Sequence, residues 1–301
     1  MTAIDHSLPF VSAPIGDLGV AFEVARLAAD QWRLDEPRFM RAGMNALFSC
    51  GEDVVLRVGR VTADPQAAGW LAVHLRAAGL RVARPLGPPA FERLGLTVFA
   101  QMRERALGPV DWDEVGDMVA RLHRLDPAEI RAHHPLPRGV DFPWWDFGRL
   151  LTEVDDLLDP LSRAALRRAV ERHGSWHHRE VGEVVCHGDI HPGNVMQTEA
   201  GAVLLDWDLL CRAPAAWDHA ALLTWAERWG GELGVYERFA EGYGGSFRSD
   251  ELAEGLAVLR LVAATLMRLR AGRTDPDAAA EAALRLRWWR GDADAPMWTT
   301  Q

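Results

Sequence analysis

The stretch that decides the fold runs from Val184 to Ala220, VVCHGDIHPGNVMQTEAGAVLLDWDLLCRAPAAWDHA. Val184–Cys186 is a short apolar run that stops at a polar loop, His187-Gly188-Asp189, and Pro192-Gly193 closes that loop. Asn194–Gln197 reads as an outgoing strand, Glu199-Ala200-Gly201 as its turn, and Ala202–Leu205 as the returning strand. An antiparallel hairpin of that length brings Asp206 back beside Asn194. Asp189 sits on the loop that feeds the same end, so Asp189, Asn194 and Asp206 are expected to converge at one mouth.

Those three residue types have a shared chemistry. A carboxylate beside an amide oxygen is a hard-oxygen pair suited to Mg²⁺, an ion that keeps waters and takes further ligands from substrate phosphates. A third carboxylate, off the metal, can accept the proton of an attacking hydroxyl, and together these are the parts of phosphoryl transfer. A different constellation also exists. His187 and His191 are spaced i, i+4 and stand near Asp189, Asp206 and Asp208, as in a metal-dependent hydrolase. Gly188, Pro192 and Gly193 prevent the helix that would put both histidines on one face, which makes this the weaker reading. Asp208 is open to a second metal or to a hydrogen bond with the loop, the latter preferred.

His187-Gly-Asp189-x-x-x-x-Asn194 has the spacing of the protein-kinase catalytic loop, H-R-D-x-x-x-x-N, with Gly for Arg. The stretch resembles the catalytic segment of the aminoglycoside phosphotransferase / choline kinase-like family, which shares the protein-kinase fold. Met118–Pro127 (MVARLHRLDP) is similar to that family's helix ending in Leu-His, and Asp218 falls where the family has an Asp that braces the catalytic loop. Arg57, in VVLRV, stands where kinases carry a phosphate-contacting Lys. The resemblance covers about residues 38–230. It implies that Asp189 orients and deprotonates the acceptor hydroxyl, that Asn194 and Asp206 hold Mg²⁺, and that Arg57 contacts the phosphates of ATP. It also implies a hinge near Gln101, Met102 and Arg103 whose backbone holds adenine, and His187, Asp208 and Asp218 as supports of the site. Two departures stand out. In place of a GxGxxG loop there is only Ala42-Gly-Met-Asn45, which makes Asn45 the candidate on the phosphate side; and Asp64–Gly79 holds no Glu to pair with Arg57, only Gln66 and His74.

Outward from this core, residues 16–32 carry Leu18, Phe22, Ala25 and Ala29 at helical spacing. Arg38–Ala42, Ala46–Cys50 and Val54–Val58 read as strands, with Gly43–Asn45 and Gly51–Asp53 as turns. Asp64-Pro65 predicts the start of an embedded helix that Gly79 ends, and Leu86 and Leu94–Met102 predict two more strands. Along Val54–Val58 the alternation puts Arg57 with Val55 and Gly59, and sends Val54, Leu56 and Val58 the other way. From Asp111 the chain is mainly helical: Asp111-Trp-Asp-Glu114 predicts a capping box, and helices are expected over 147–173, 251–271 and 276–290.

Composition narrows the partners. The 301 residues are 49% hydrophobic and 25% charged, with a net charge of −10, a poor match for nucleic acid or an anionic membrane and a better one for a cationic small molecule. The chain has no lysine, which excludes Schiff-base chemistry and a Walker-A loop; a drift from Lys to Arg codons explains it. Cys50, Cys186 and Cys211 form no CxxC and read as reduced, buried thiols. Met1–Phe10 lacks a signal-peptide pattern and no run is long enough to span a membrane, so a cytoplasmic protein is expected. Trp144-Trp145, Trp288-Trp289 and Trp298 are expected to be buried rather than to stack on a sugar, Asp155, Asp156 and Asp159 to be a solvated face, and His123 to be a packing residue.

The expectation is an α+β, bilobal, protein-kinase-like fold: a small mixed-sheet lobe over 1–103 and a larger, mainly helical lobe over 104–301. Its function is expected to be an ATP- and Mg²⁺-dependent transfer of the γ-phosphate to a hydroxyl of a small molecule: an aminoglycoside, amino sugar, amino alcohol or other antibiotic-like acceptor. A catalytically impaired nucleotide-binding protein and a His/Asp metal-dependent hydrolase are the alternatives.

Overall fold

Short turns between apolar runs build the first sheet. Arg38–Ala42 (β1), Ala46–Cys50 (β2) and Val54–Arg60 (β3) are successive neighbours in the computed structural model, which describes residues 15–62, 65–86, 90–178 and 181–299. Phe91–Arg93 (β4) and Leu96–Met102 (β5) complete the order β1-β2-β3-β5-β4. The sequence pattern predicts a mixed sheet, yet every pairing is antiparallel. The reason is the turn at Leu94-Gly95, both at positive φ, which reverses the chain between β4 and β5 so that β5 meets β3 head to tail. Leu86 lies in no strand: its N–H reaches Ala100 O at 2.8 Å, beside an isolated bridge from Pro85 to Gln101.

The alternation along β3 sorts its side chains. Leu56 and Val58 are fully buried against Leu18–Trp32 (α1), whose Ala21, Ala25 and Ala28 allow close approach to the sheet. Asp17 caps α1 by accepting from the N–H groups of Gly19 and Val20. The opposite face of the sheet carries Arg57 with its register partners Leu47 and Phe99. Pro65–Ala77 (α2) ends before Gly79, at φ 82°; Asp64, the predicted cap, lies outside the described residues. The apolar face of α2, with Leu71 and Leu75, joins the core of the helical half rather than that of the sheet.

The helical half comprises Trp112–Leu122 (α3), Pro127–His133 (α4), Phe147–Glu153 (α5), Pro160–His173 (α6), Ala216–Leu223 (α7), Trp225–Trp229 (α8), Val235–Tyr243 (α9), Glu251–Ala271 (α10) and Pro276–Arg290 (α11). The predicted helix over 147–173 is broken because Asp159 caps a new helix and Pro160 takes its first position. The predicted capping box is only half made. Asp111 accepts from Asp113 N and Glu114 N, but the Glu114 side chain turns away to accept from Ala202 N at 2.7 Å and to pair with Arg81. Two small ladders interrupt the helices: Val184–Cys186 (β6) with Cys211–Ala213 (β9), and Val195–Thr198 (β7) with Gly201–Leu204 (β8). No described helix is long and apolar enough to cross a membrane.

Helices α3 and α9 touch backbone to backbone. A Cβ on Gly116 would run into the carbonyl oxygen of Phe239 and meet Tyr243 N, neither of which can swing aside. Gly116→Ala is therefore expected to destabilise the fold by about 1–3 kcal/mol, the usual range for overpacking. Urea unfolding of the variant beside the wild type measures this, and an unchanged midpoint would contradict the contact.

Candidate active site

The candidate site's loop begins where β6 ends. Its first two residues, His187 and Gly188, donate their backbone N–H groups to the two carboxylate oxygens of Asp218, each at 2.8 Å. Asp218 is fully buried on α7 and takes a third bond from His123 Nε2 at 3.1 Å. An ionised carboxylate is acceptor only, so Nε2 is the donor; the other ring nitrogen of His123 lies 2.9 Å from the Tyr243 hydroxyl. Burial pushes the Asp218 carboxyl up, but His123, His187 and the Gly188 N–H together hold it below the usual range. His123 is thus part of the loop's support and more than a packing residue. Gly188 has φ 90°, and a Cβ there would strike the carbonyl oxygen of Leu209.

His187 ties the loop to the hairpin. Its Nδ1 accepts the Asp189 N–H at 3.3 Å, which leaves Nε2 as the donor to Leu205 O at 2.9 Å. Burial lowers the pKa of this ring, in keeping with a neutral imidazole. Leu205 N in turn bonds Asn194 O at 2.9 Å, so Asn194 and Asp206 leave adjacent backbones at the open end of β7–β8. Asp206 itself is left-handed, with φ 60°. Asn194 Nδ2 donates to Asp189 O at 3.0 Å and to Asp189 Oδ2 at 3.1 Å. Asp189, Asn194 and Asp206 are therefore brought together.

Asp189 has two further partners that the motif does not contain. Arg260, on α10, bonds Gly188 O at 3.0 Å and Asp189 Oδ1 at 2.5 Å. His191 Nδ1 accepts the Gly193 N–H, which directs Nε2–H to Asp189 Oδ2 at 3.4 Å. This disposes His191 toward the carboxylate rather than toward a shared metal with His187. Burial raises the Asp189 carboxyl, but His191 and Arg260 outweigh it and hold the group far below the ordinary value. Asp206 is displaced the opposite way: burial and the neighbouring Asp208 raise it, and Arg57 only partly compensates.

Above these groups lies a cavity of about 800 Å³. Arg57, Asn45 and Gln101 line it from the sheet, Asn194, Asp206 and Asp208 from below. Arg57 pairs with Asp208 and lies 3.5 Å from Asp206. Asp208 also accepts from Asn45 Nδ2 at 3.0 Å, so it reaches up to the sheet rather than bonding its own loop as expected. Asp208 thereby supplies the carboxylate that α2 lacks. Met102 and Arg103 are absent from the cavity lining, and their N–H groups are already bonded to Arg84 O and Asp53 O, each at 2.8 Å. Of the three hinge residues only Gln101 faces the space.

Sequence reasoning passed over Arg260. Its one signal was a lone charge within the otherwise uncharged run Leu256–Leu266. The acidic triplet is not a bare rim: Asp155, Asp156 and Asp159 pair with Arg163, Arg273 and Arg290. Trp145 and Trp298 are buried.

With this geometry in place, comparison with known proteins is decisive at the level of family: the model of the phosphotransferase enzyme family matches residues 24–262. The chain belongs to that family. A search of curated proteins finds no match. Among solved structures, the GDP and kanamycin complex of the phosphotransferase APH(2")-IIIa is 16% identical with a TM-score of 0.67, covering 90% of this chain and 99% of that one. An amicoumacin kinase in complex with AMP-PNP, Ca²⁺ and its ligand is 12% identical with a TM-score of 0.67, covering 92% and 96%. The macrolide 2'-phosphotransferase MphH from Brachybacterium faecium is 19% identical with a TM-score of 0.54, covering 88% and 98%. At these identities the likeness is one of fold, the bilobal kinase-like α+β fold, and the family match makes the chain a member of a phosphotransferase family.

The support behind Asp218 gives a pH prediction. His219, fully buried among Tyr236, Phe239, Tyr243 and Phe247, has its pKa lowered to about 3, chiefly by burial. A histidine depressed in the folded state takes up its proton first in the unfolded chain, so its contribution is complete above the unfolded value near ~6.5 and is lost as pH falls toward the folded one. Stability should drop across that window with a contribution approaching about 1.4 kcal/mol per pH unit from this group. His219→Phe should flatten the slope, read by urea unfolding between those pH values; an identical slope would assign the acid sensitivity elsewhere.

Proposed function

We propose that this protein transfers the γ-phosphate of ATP, as its Mg²⁺ complex, to a hydroxyl of a small molecule. The observation that carries the reading is the convergence of Asp189, Asn194 and Asp206 at the open end of the β7–β8 hairpin, directly beneath a cavity whose roof presents Arg57. Leu47, Leu86, Ala100 and Leu204 give that cavity apolar walls fit for a base, with Gln101 as a polar group among them.

The residues fit a divalent ion. Both hydrogen bonds made by the Asn194 side chain leave from Nδ2, which frees its amide oxygen, and the raised Asp206 carboxyl marks a place where negative charge is under-compensated. Asn194 and Asp206 would hold Mg²⁺, which would supply positive charge against the phosphates. Arg57 would take a phosphate oxygen through its planar fork, and Asn45 sits in the β1–β2 turn where a glycine-rich loop is lacking. Asp189, held ionised, accepts the hydrogen bond of the acceptor hydroxyl and aims the oxygen at the γ-phosphorus. The new O–P bond forms as the bond to the β-phosphate oxygen breaks, the hydroxyl proton passes to Asp189, and the nucleoside diphosphate leaves with the electron pair. The carboxyl far below its usual range makes Asp189 a weak base, so orientation is its larger part, in line with a loose transition state in which the proton leaves late.

Intact contacts around all three residues favour an active enzyme over an impaired nucleotide binder. The pairing of the acidic triplet with arginines gives no support to a strongly cationic acceptor.

Asp189→Ala is expected to lower turnover about 10²–10⁴-fold. Mg-ATP at a hundredfold excess over its dissociation constant should still stabilise that variant by about 2.7 kcal/mol. Near-normal turnover, followed by ADP release with an acceptor from a hydroxyl-compound screen, would refute the assignment.

Arg57→Ala should weaken Mg-ATP use about ten- to a hundredfold, the rate equivalent of a charged hydrogen bond, and Arg57→Lys should retain part of it. Steady-state kinetics in ATP decide this; an unaltered KM for ATP in Arg57→Ala would remove Arg57 from the nucleotide site.

A further inference from the structure

The nucleotide cavity is lined by Asn194, Asp206 and Asp208 but not by Asp189, His191 or Arg260. Asp189 nonetheless keeps 28% of its side-chain surface exposed, so an acceptor meets it from outside that cavity. The groups on this outer side are basic and aromatic. Arg260 bridges Gly188 O and Asp189 Oδ1, and His191 donates to Oδ2. The His191 ring stacks on Trp225 with centroids 5.8 Å apart and 23° between planes, and Trp225 stacks on Trp229 at 6.1 Å and 19°. All four side chains are half-buried, which leaves each some exposed surface.

Among the described residues, several carboxylates of the helical half are already paired. Asp189 is itself paired with Arg260. Glu153 is paired with Arg149 and Arg270, and Asp155, Asp156 and Asp159 with arginines of their own. Glu227, on α8, is exposed and sits beside Arg228, whose guanidinium lies over the Trp288 ring. The Arg260 guanidinium presents a cation on this side. Being half-buried, it is also less screened by salt than a surface residue.

Resting on the phosphotransfer reading above, we infer that the acceptor is an uncharged hydroxyl compound with a flat apolar face, and that Arg260 keeps ammonium groups away from the hydroxyl that is phosphorylated. Arg260 acts through Asp189 and through its own field: it positions the carboxylate and sets the charge the acceptor must not carry. His191, Trp225 and Trp229 provide the apolar wall.

The test uses matched pairs of phenyl glycosides, each neutral sugar beside its amino-deoxy counterpart, with Mg-ATP and the full chain. Phosphate transfer is measured for compounds that react, and inhibition of the slow hydrolysis of Mg-ATP for those that do not. The neutral members should be favoured about tenfold or more in kcat/KM or in inhibition constant, a difference of about 1.4 kcal/mol. Arg260→Lys should keep that preference while losing turnover, whereas Arg260→Gln should narrow it to about threefold or less. Preference for the amines, pairs that cannot be told apart, or a preference unchanged in Arg260→Gln would each overturn the inference. Thermal stabilisation by Mg-ATP is read in the same samples: its absence would refute the phosphotransfer reading, while its presence with indifferent pairs would refute only the acceptor class.

Discussion

A carboxylate that never meets water organises the catalytic half of this molecule. Asp218 takes the N–H groups of His187 and Gly188 and one ring nitrogen of His123. Removing a carboxylate from water is costly unless every oxygen finds donors, and here both do. The cost of burial becomes rigidity: two consecutive peptide planes are pinned, and with them the direction in which Asp189 leaves the loop. Gly188 is the other half of the same device. Its positive φ and the Leu209 carbonyl behind it exclude a side chain, so the glycine between His187 and Asp189 is a steric requirement. From this pinned loop His187 reaches Leu205 O and Asn194 reaches Asp189, so the three candidate side chains depend on one buried anchor.

The second constraint spans the cleft. α2 carries no carboxylate for Arg57, and its leucines belong to the lower core, so the sheet must find its counter-charge elsewhere. Asp208 provides it, steadied by Asn45 from the β1–β2 turn. An ion pair within a partly buried cleft is less screened than one at the surface, and it links the roof of the cavity directly to the loop that follows Asp206. Arg57 is therefore already engaged by two carboxylates on the cavity side.

Legibility followed the range of the interactions. The β7–β8 hairpin could be read because its register is set by a local turn, and the α10 and α11 boundaries because Asp250 and Asp275-Pro276 are local caps. The direction of β5 could not, since it depends on a three-residue strand, β4, too short to show a period. Glu114 matched a capping-box spacing, yet the Ala202 N–H and Arg81 outcompete the local bond from regions far along the chain. Asp218 and His187 could be placed by resemblance, whereas Arg260 could not, because helical periodicity says that residue 260 faces the core but not that a carboxylate waits there. The partner of Arg57 was sought on the neighbouring helix and stands instead on the far side of the cleft. For Glu114, Arg260 and the partner of Arg57, a contact distant in sequence decided what a local pattern could not.

The site's carboxylates are pushed apart by their surroundings, and the separation matches a division of labour. Asp189 lies among Arg260, His191 and His187 and is held ionised despite burial. Asp206 lies beside Asp208 and shares one arginine with it, so its charge is the least compensated of the site. Two acids a short loop apart, displaced in opposite directions, are suited to different tasks. The ionised one can accept a hydrogen bond from a neutral hydroxyl without first losing a proton. The under-compensated one gains most from an arriving cation. Because the chain has no lysine, guanidinium groups supply the fixed side-chain cations on both sides, Arg57 from the sheet and Arg260 from α10. The polarity of the candidate site is therefore built in: Asp206 and Asp208 share one arginine, whereas Asp189 faces both Arg260 and His191.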